Sequence, residues 1–516
     1  MADINALQMG AANDATADVT AHFAAMQAAS TRLRRVVPKG IYIISDLLLS
    51  TADQVWEFDE NAVLLHKSAA SASCIRVTGQ GIRLRGLRGD GNKDNIASSV
   101  NFISVQGAHG LELEYFDIRN VKSQGIYAFD SDYLRISKGE IHDSGSNAVH
   151  VFVSSREEPL VGLDISDLYV DRRGVNSSGS EDGIRIAGKL FGSTPVTVNR
   201  PSLTRVKARL PVDSLDTASE AIALVRAEDA TLTAVATEGG RIGISLPRCH
   251  RARLVGIDID GAMNYGIEIA SATDVSVSDF TIDGRDSTVG LNRGVASNVI
   301  STETPSNNLT LIGGRMRRCI AGFYGGGLSD NKLRNLSIIG CNFGEFKDAN
   351  RVAVTVTHAD GLNLSANVFD GLRTDGSGLK AYAPLTLTNV SNVSFGGGIA
   401  KDCQNIIRLS ANNSYDKIDI HDVLVPGTSI VPVVGTNTTL GTISMRDCLG
   451  AERNGYRISV LDYVHDVINA IGTGSPEGGL VAGIGSRCTA TDGTEGAIVF
   501  LKTADAGQAT GWTAIG

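Results

Sequence analysis

Gly125-Ile126-Tyr127-Ala128, Ala148-Val149-His150-Val151, Gly183-Ile184-Arg185-Ile186, Ala221-Ile222-Ala223-Leu224, Gly243-Ile244-Ser245-Leu246 and Gly266-Ile267-Glu268-Ile269 are one short phrase, small–apolar–x–apolar, repeated along the chain. Counted from its first apolar residue, the phrase returns after 23, 35, 38, 22 and 23 residues. Alternation inside each block is the period of a strand. A second set of blocks lies between these marks: Leu111-Glu112-Leu113, Leu134-Arg135-Ile136, Leu163-Asp164-Ile165, Val275-Ser276-Val277, Leu309-Thr310-Leu311 and Leu362-Asn363-Leu364. Asn, Asp or Gly often precede them, and these are turn residues. Short strands with polar corners at this spacing predict an all-β chain wound as a right-handed parallel β-helix. A leucine-rich repeat would need a fixed leucine–asparagine pattern, which is absent. A propeller would need longer blades.

The composition agrees. Apolar residues make up 42% of the 516, enough for a long core, and glycine is high at 58. The formal net charge of −9 argues against a nucleic-acid partner. No apolar run is long enough to cross a membrane as a helix. The seven cysteines are Cys74, Cys249, Cys319, Cys341, Cys403, Cys448 and Cys488. None form a C-x-x-C pair, so they are expected to be buried thiols rather than a disulfide or zinc framework. No metal or other cofactor is expected, and the opening residues carry no secretory signal.

The ends differ from the stack, and three domains are expected. Residues 1–40 form a cap whose helix, about 18–30, follows Thr16-Ala17-Asp18 and buries Val19, Phe23 and Met26. Residues 41–448 form the β-helix with the carbohydrate site. Residues 449–516 carry a short helix over 459–470, from the spacing of Val460, Leu461, Val464, Val467, Ile468 and Ile471, followed by a small β module that joins chains.

The opening, Asp18-Val19-Thr20, then Phe23, Gln27-Ala28 and Val37-Pro38-Lys39-Gly40-Ile41-Tyr42, resembles the entrance of pectate-lyase-like β-helices, a group that includes bacteriophage tailspikes and polysaccharide depolymerases. The usual Gly-Asp-Gly ahead of the helix is replaced here by Ala12-Asn13-Asp14. The tail, from Gly474-Ser475-Pro476-Glu477-Gly478 through Thr491-Asp492-Gly493 to Gly511-Trp512, is similar to a segment of phage tail proteins. The resemblance implies a homotrimer, a bacterial surface polysaccharide as partner, a place in the virion and a tail adaptor protein. It transfers no catalytic residues.

The repeat register places candidate residues. The residue after each mark points outward, giving the column Tyr127, His150, Arg185, Ala223, Ser245 and Glu268. Two before the mark, at the preceding turn, stand Gln124, Asn147, Asp182, Glu220, Ile242 and Tyr265, with Glu181 beside Asp182. The long steps flank Arg185 and put extra chain at 154–180 and 188–218, the kind of loop that walls a groove. A glycosidase needs two carboxyl groups across the scissile bond, and Asp182, Glu220 and Glu181 are the candidates. Tyr127, His150, Arg185 and Asn147 would bind substrate. A lyase acting on a uronate would instead use Tyr127 or His150 as base and Arg185 as the cation; the acidic neighbours count against it. A non-catalytic receptor-binding tail protein is the third reading. Rival clusters are Asp130, Asp132, His142 and Asp143, and Asp258, Asp260, Glu268 and Asp283.

Overall fold

The computed structural model describes residues 3–29, 34–172, 182–189, 195–211, 219–285, 293–300, 303–346, 352–373, 383–426 and, with short interruptions, 428–515. The chain divides into two compact units. The first holds residues 1–275 and 287–291, and the second holds 276–286 and 292–516.

The period seen in the sequence is the pairing register of the first unit. Ile126 pairs with Val149, Val149 with Ile184, Ile184 with Ile222, Ile222 with Ile244 and Ile244 with Ile267, all in parallel. Each of these six residues is buried. The 35- and 38-residue steps therefore still advance by one coil, and the extra chain leaves the stack sideways. The second set of blocks forms its own parallel ladder, with Leu113 beside Ile136 and Ile136 beside Ile165. A parallel crossover that returns to the same sheet is right-handed in nearly every protein, and the chain winds as a right-handed parallel β-helix.

The corners explain how so short a coil closes. Tyr115, Lys138, Asp167, Arg205 and Ala234 each have φ between 50° and 56°. A left-handed residue at this place in each of these coils bends the chain from one sheet to the next. Such backbone costs roughly 1–2 kcal/mol at a residue with a side chain. Stacking recovers part of it: Lys138 Nζ donates to Glu114 and to the Tyr115 hydroxyl, both at 2.8 Å, and Arg205 pairs with Asp167. Gly139 shows how full the interior is. A Cβ there would meet the Phe116 ring at 2.1 Å.

At the start of the first unit a helix, Thr20–Ala29, buries Phe23 and Met26, and Val19 beside it is buried too. Asp18 caps it, accepting from the Thr20 amide at 3.0 Å and the Thr20 hydroxyl at 2.6 Å. These bonds hold the Asp18 carboxyl down at about 2, against the cost of its partial burial. Phe23 stacks on Trp56 with centroids 5.9 Å apart. The buried Arg35 closes the other end, donating to the carbonyls of Met26 and Gln27. The Val-Pro-x-Gly-x-Tyr segment is also accounted for. Gly40 has φ 144° against Asn13, where a Cβ would lie 2.5 Å from the Asn13 side chain, and the Tyr42 hydroxyl donates to the Pro38 carbonyl at 2.9 Å.

The second unit repeats the winding with a different filling. Phe343, Phe369 and Phe395 are each at most 1% exposed, and their rings follow one another at 5.1 and 5.5 Å. Its last strands change to largely antiparallel pairing. The helix expected over 459–470 is not formed: strands Tyr456–Asp462 and Val467–Gly472 pair antiparallel instead. The apolar spacing fitted both readings. The β-branched Val460, Val467, Ile468 and Ile471 favour the strand, and the strand Ile443–Arg446 pairs with Tyr456–Asp462. All seven cysteines are buried. Among the described residues no helix is long and apolar enough to cross a membrane.

Candidate functional site

The outward column follows the expected order in the first unit. Tyr127 neighbours His150, His150 neighbours Arg185, Arg185 neighbours Ala223, Ala223 neighbours Ser245 and Ser245 neighbours Glu268. Its lower end is aromatic. His150 and Phe152 stack with centroids 4.7 Å apart, Tyr127 lies 5.3 Å from Phe152, and Phe129 lies 5.7 Å from Phe152. All four rings are half-buried. Sequence reading named Tyr127 and His150 but passed over Phe129 and Phe152. Their position two residues further along the same strands was the available signal.

A cavity of about 330 Å³ opens beside these rings, lined by His150, Phe152, Ser154, Arg185, Gly188 and Lys189 among others. Burial, together with the nearby Arg185 charge, holds His150 down at about 4. The imidazole is therefore neutral at neutral pH, and its Nδ1 is buried without a hydrogen-bond partner.

The turn column is tied rung to rung. Asn147 Oδ1 accepts from the Asp182 amide at 2.6 Å, and Asp182 Oδ1 accepts from the Glu220 amide at 3.0 Å. Arg185 Nη1 reaches Asp182 Oδ2 at 2.8 Å. Asp182 is only 1% exposed. Burial pushes its carboxyl up, and the Arg185 charge opposes that push. Glu220 is raised to about 8, first by burial and then by the Asp182 charge beside it. Raised to about 8, Glu220 keeps its proton at neutral pH. Arg172, within the stretch 154–180 expected to wall a groove, is instead 2% exposed and donates to the carbonyls of Asp182 and Ser144 at 3.2 and 3.1 Å. Glu181 lies outside the described residues.

Two pieces of the inserted chain, Leu160–Val161 and Val198–Asn199, pair with each other and with Ala227–Glu228 from the next coil as a small extra sheet. Two members of a rival cluster hold the loop that leads to it. Asp130 accepts from the Ser154 and Ser155 amides at 2.8 and 3.0 Å. Asp132 accepts from the Val161 amide at 2.9 Å and pairs with Arg156 at 2.9 Å. His142 instead joins Glu140, at 2.9 Å, on a different sheet. The other cluster also separates: Asp258 and Asp260 sit in the ladder beside Ala236 and Glu238, Glu268 is on the outward column, and Asp283 belongs to the second unit. Asp117, Glu140 and His142 bring ligand atoms within 4.8 Å of one another. Asp117 is paired with Arg119 at 2.7 Å and Glu140 with His142, which accounts for the grouping without an ion.

The fold and this face define a parallel β-helix protein. No family model and no curated protein matches the chain. Solved structures do. The N-terminal fragment of gene product 12 from bacteriophage phi29 is 12% identical, over 92% of this chain and 96% of that one, with a TM-score of 0.51. The A-module of mannuronan C-5 epimerase AlgE6 from Azotobacter vinelandii is 11% identical over 85% and 99%, with a TM-score of 0.45. Tailspike protein 3 of bacteriophage CBA120 is 12% identical over 99% and 68%, with a TM-score of 0.33. At these identities the likeness speaks to the fold alone.

Proposed function

We propose that the chain is a phage tailspike-like depolymerase that binds a bacterial surface polysaccharide and hydrolyses it internally. The observation that supports this most is Glu220. It is a carboxyl group kept protonated at neutral pH by burial and by Asp182, on the face that carries four half-buried rings and a cavity. A protonated acid is what a glycosidic oxygen needs as its bond breaks. Aromatic rings offer an apolar face to the C–H side of a sugar. Asp182 holds the Arg185 guanidinium and keeps Glu220 acidic rather than ionised. Tyr127, His150, Arg185 and Asn147 shape the binding surface. The active particle in this reading is a homotrimer in the virion, attached through a tail adaptor protein.

One observation favours a second reading, β-elimination on a uronate polymer. His150 is neutral and its Nδ1 is unpartnered, as a base would be. Both readings meet the same test. The purified protein is incubated with a panel of bacterial capsules and lipopolysaccharides, while reducing ends and the ultraviolet absorbance of unsaturated uronates are followed together. Reducing ends without absorbance are expected. Both signals together would make it a lyase. Binding with neither signal would make it a non-catalytic receptor-binding protein. Light scattering checks the trimer, and a stable monomer would remove that part.

A further inference from the structure

A second cavity, of about 450 Å³, opens on a corner of the first unit and shares no lining residue with the one beside His150. Tyr133, Gly162, Asn199, Arg200, Glu228 and Asp229 line it, among others. This corner is a column in register. The Gly110 amide donates to the Asp132 carbonyl, Tyr133 to Val161, Arg200 to Glu228 and Asp229 to His250. Val161 pairs with Asn199, which sets Gly162 beside Arg200. The order is therefore Gly110, Tyr133, Gly162, Arg200, Asp229, Arg251, with rungs about 4.8 Å apart. Glycine fills the position on both sides of Tyr133, at φ 75° and 72°, while Tyr133 itself is held at φ 56°. A tyrosine there carries strain that glycine avoids. Its ring is 62% exposed, more than any other large apolar side chain described. One part of the ring lies on Gly162, where a Cβ would come 2.5 Å from Tyr133 Cδ1. Tyr115, at another corner with φ 54°, differs: Arg85 and Lys138 sit over its ring at 5.1 and 4.5 Å. Among the described residues Tyr133 has no aromatic or cationic partner, and its hydroxyl makes no hydrogen bond.

The polar wall of the cavity is also partly unused. Asn199 Oδ1 accepts from the Thr197 hydroxyl at 2.7 Å, and among the described residues its amide nitrogen and the Arg200 guanidinium make no hydrogen bond. Arg251 meets Glu228 at 2.6 Å and Asp229 at 2.5 Å. Its bond to Asp229 holds that carboxyl below the usual range, and a carboxylate so engaged still has lone pairs to offer. The two guanidinium groups balance the two carboxylates. A flat apolar face flanked by donors and acceptors of no net charge complements the C–H face and hydroxyls of an uncharged sugar.

We propose that this corner is a second carbohydrate site, which holds an uncharged sugar unit of the polysaccharide without cutting it. The proposal rests on the polysaccharide reading above. Tyr133 is the platform for the sugar ring, Arg200 and Asn199 donate to its hydroxyls, and Glu228 and Asp229 accept from them. The inserted strand Val198–Asn199 carries Asn199, and with it Arg200, to the corner where Tyr133 stands. A long polymer held here stays near the rest of the molecule, which raises its effective concentration at the Glu220 face. A short oligosaccharide, able to occupy one site at a time, gains nothing from the second.

The test adds Tyr133→Ala, Tyr133→Phe or Arg200→Ala to the Glu220→Gln protein, so that nothing is cut, and applies each labelled protein to an array of bacterial capsules and lipopolysaccharides. For a polymer that the Glu220→Gln parent binds, Tyr133→Ala should lose about tenfold in affinity and Arg200→Ala about threefold, while Tyr133→Phe keeps its affinity. Melting temperatures should match the parent, because a ring 62% exposed holds little of the core. With Glu220 restored, Tyr133→Ala should raise KM on the intact polymer and leave kcat on short oligosaccharides unchanged. Parent-like affinity in both Tyr133→Ala and Arg200→Ala overturns the second site, and the hydrolase reading survives that result wherever the wild-type protein cleaves. Binding that is lost in Tyr133→Ala, with no cleavage by the wild-type protein, keeps the site and removes the hydrolase reading. A loss seen only with polymers in which every sugar is charged overturns the assignment to an uncharged unit. A parent that binds nothing on the array overturns both.

Discussion

Two outward faces of the first unit carry similar residue types and treat them in opposite ways. On the sheet that contains Glu140, His142, Tyr169, Asp171, Arg209 and Glu238, polar groups meet partners. Arg209 reaches Glu238 at 2.6 Å and the Tyr169 hydroxyl at 3.2 Å, that hydroxyl donates to Asp171 at 3.0 Å, and His142 meets Glu140 at 2.9 Å. On the face of Tyr127, His150, Arg185 and Glu220 the matching is incomplete. A ring nitrogen of His150 is buried without a partner, and Glu220 stands beside another carboxylate. Compensated charge at the surface is cheap and says little about function. Uncompensated burial is expensive, and it is kept where chemistry needs it. The second face is therefore the one to break.

The largest expected effect is on Glu220. Glu220→Gln should lower the rate of cleavage by about 10²–10⁴-fold, the usual worth of a positioned acid, measured by reducing ends. Since Glu220 gives its proton from a carboxyl raised to about 8, activity should decline as pH rises through about 8. The stability sign follows from the same shift. The folded value lies above the ordinary 4.5, so the contribution is full below about pH 4.5 and is lost as pH rises through about 8. Glu220→Gln should flatten that decline in denaturant midpoints taken across the range. An unchanged slope would mean that the group is ordinary and that the contrast between the faces fails.

Asp182→Asn comes next, and stability reads it best. The change leaves the Arg185 guanidinium without its 2.8 Å partner at a residue that is 1% exposed. Breaking a buried ion pair costs about 3–5 kcal/mol, with the lower end expected here because Arg185 is itself partly solvated. The variant should also lower the alkaline limit of cleavage, since the neighbouring charge that raises Glu220 is gone. A stable variant with an unmoved pH limit would separate Asp182 from the site.

The sequence carried the fold more fully than the site. A period of two inside a period of about 23 leaves one way to stack Ile126, Val149, Ile184, Ile222, Ile244 and Ile267, and the outward column follows without further information. What the period could not carry is where long side chains reach. Ser245 and Glu268 stood side by side in the column, but the 3.1 Å bond from the Ser245 hydroxyl to Glu268 depends on rotamers rather than register. Asp182 read as a turn residue, and its contact with Arg172, the residue that follows the ladder strand Asp164–Asp171, was not visible in the register. The acidic neighbours that counted against an anionic sugar are neutralised or protonated in place, by Arg185 and by burial. At 459–470 the repeat had ended, and the apolar spacing alone did not separate helix from strand.

Within the matched face, volume should outweigh charge. Gly139→Ala drives a Cβ to 2.1 Å from the Phe116 ring, and overpacking of this kind costs about 1–3 kcal/mol, visible as a lower melting temperature with cleavage intact once folded. Glu140→Gln, on the same strand, Arg135–His142, should cost less than about 1 kcal/mol. Its side chain is 52% exposed, its partner His142 retains the ring contact with Tyr169 at 5.6 Å, and salt already screens the pair. The two substitutions differ in what must move: an aromatic ring in a filled core, or a carboxylate that water can replace. Cleavage lost in Glu140→Gln while Glu220→Gln retains it would exchange the roles of the two faces, and the matched ladder would have to be read as the catalytic surface.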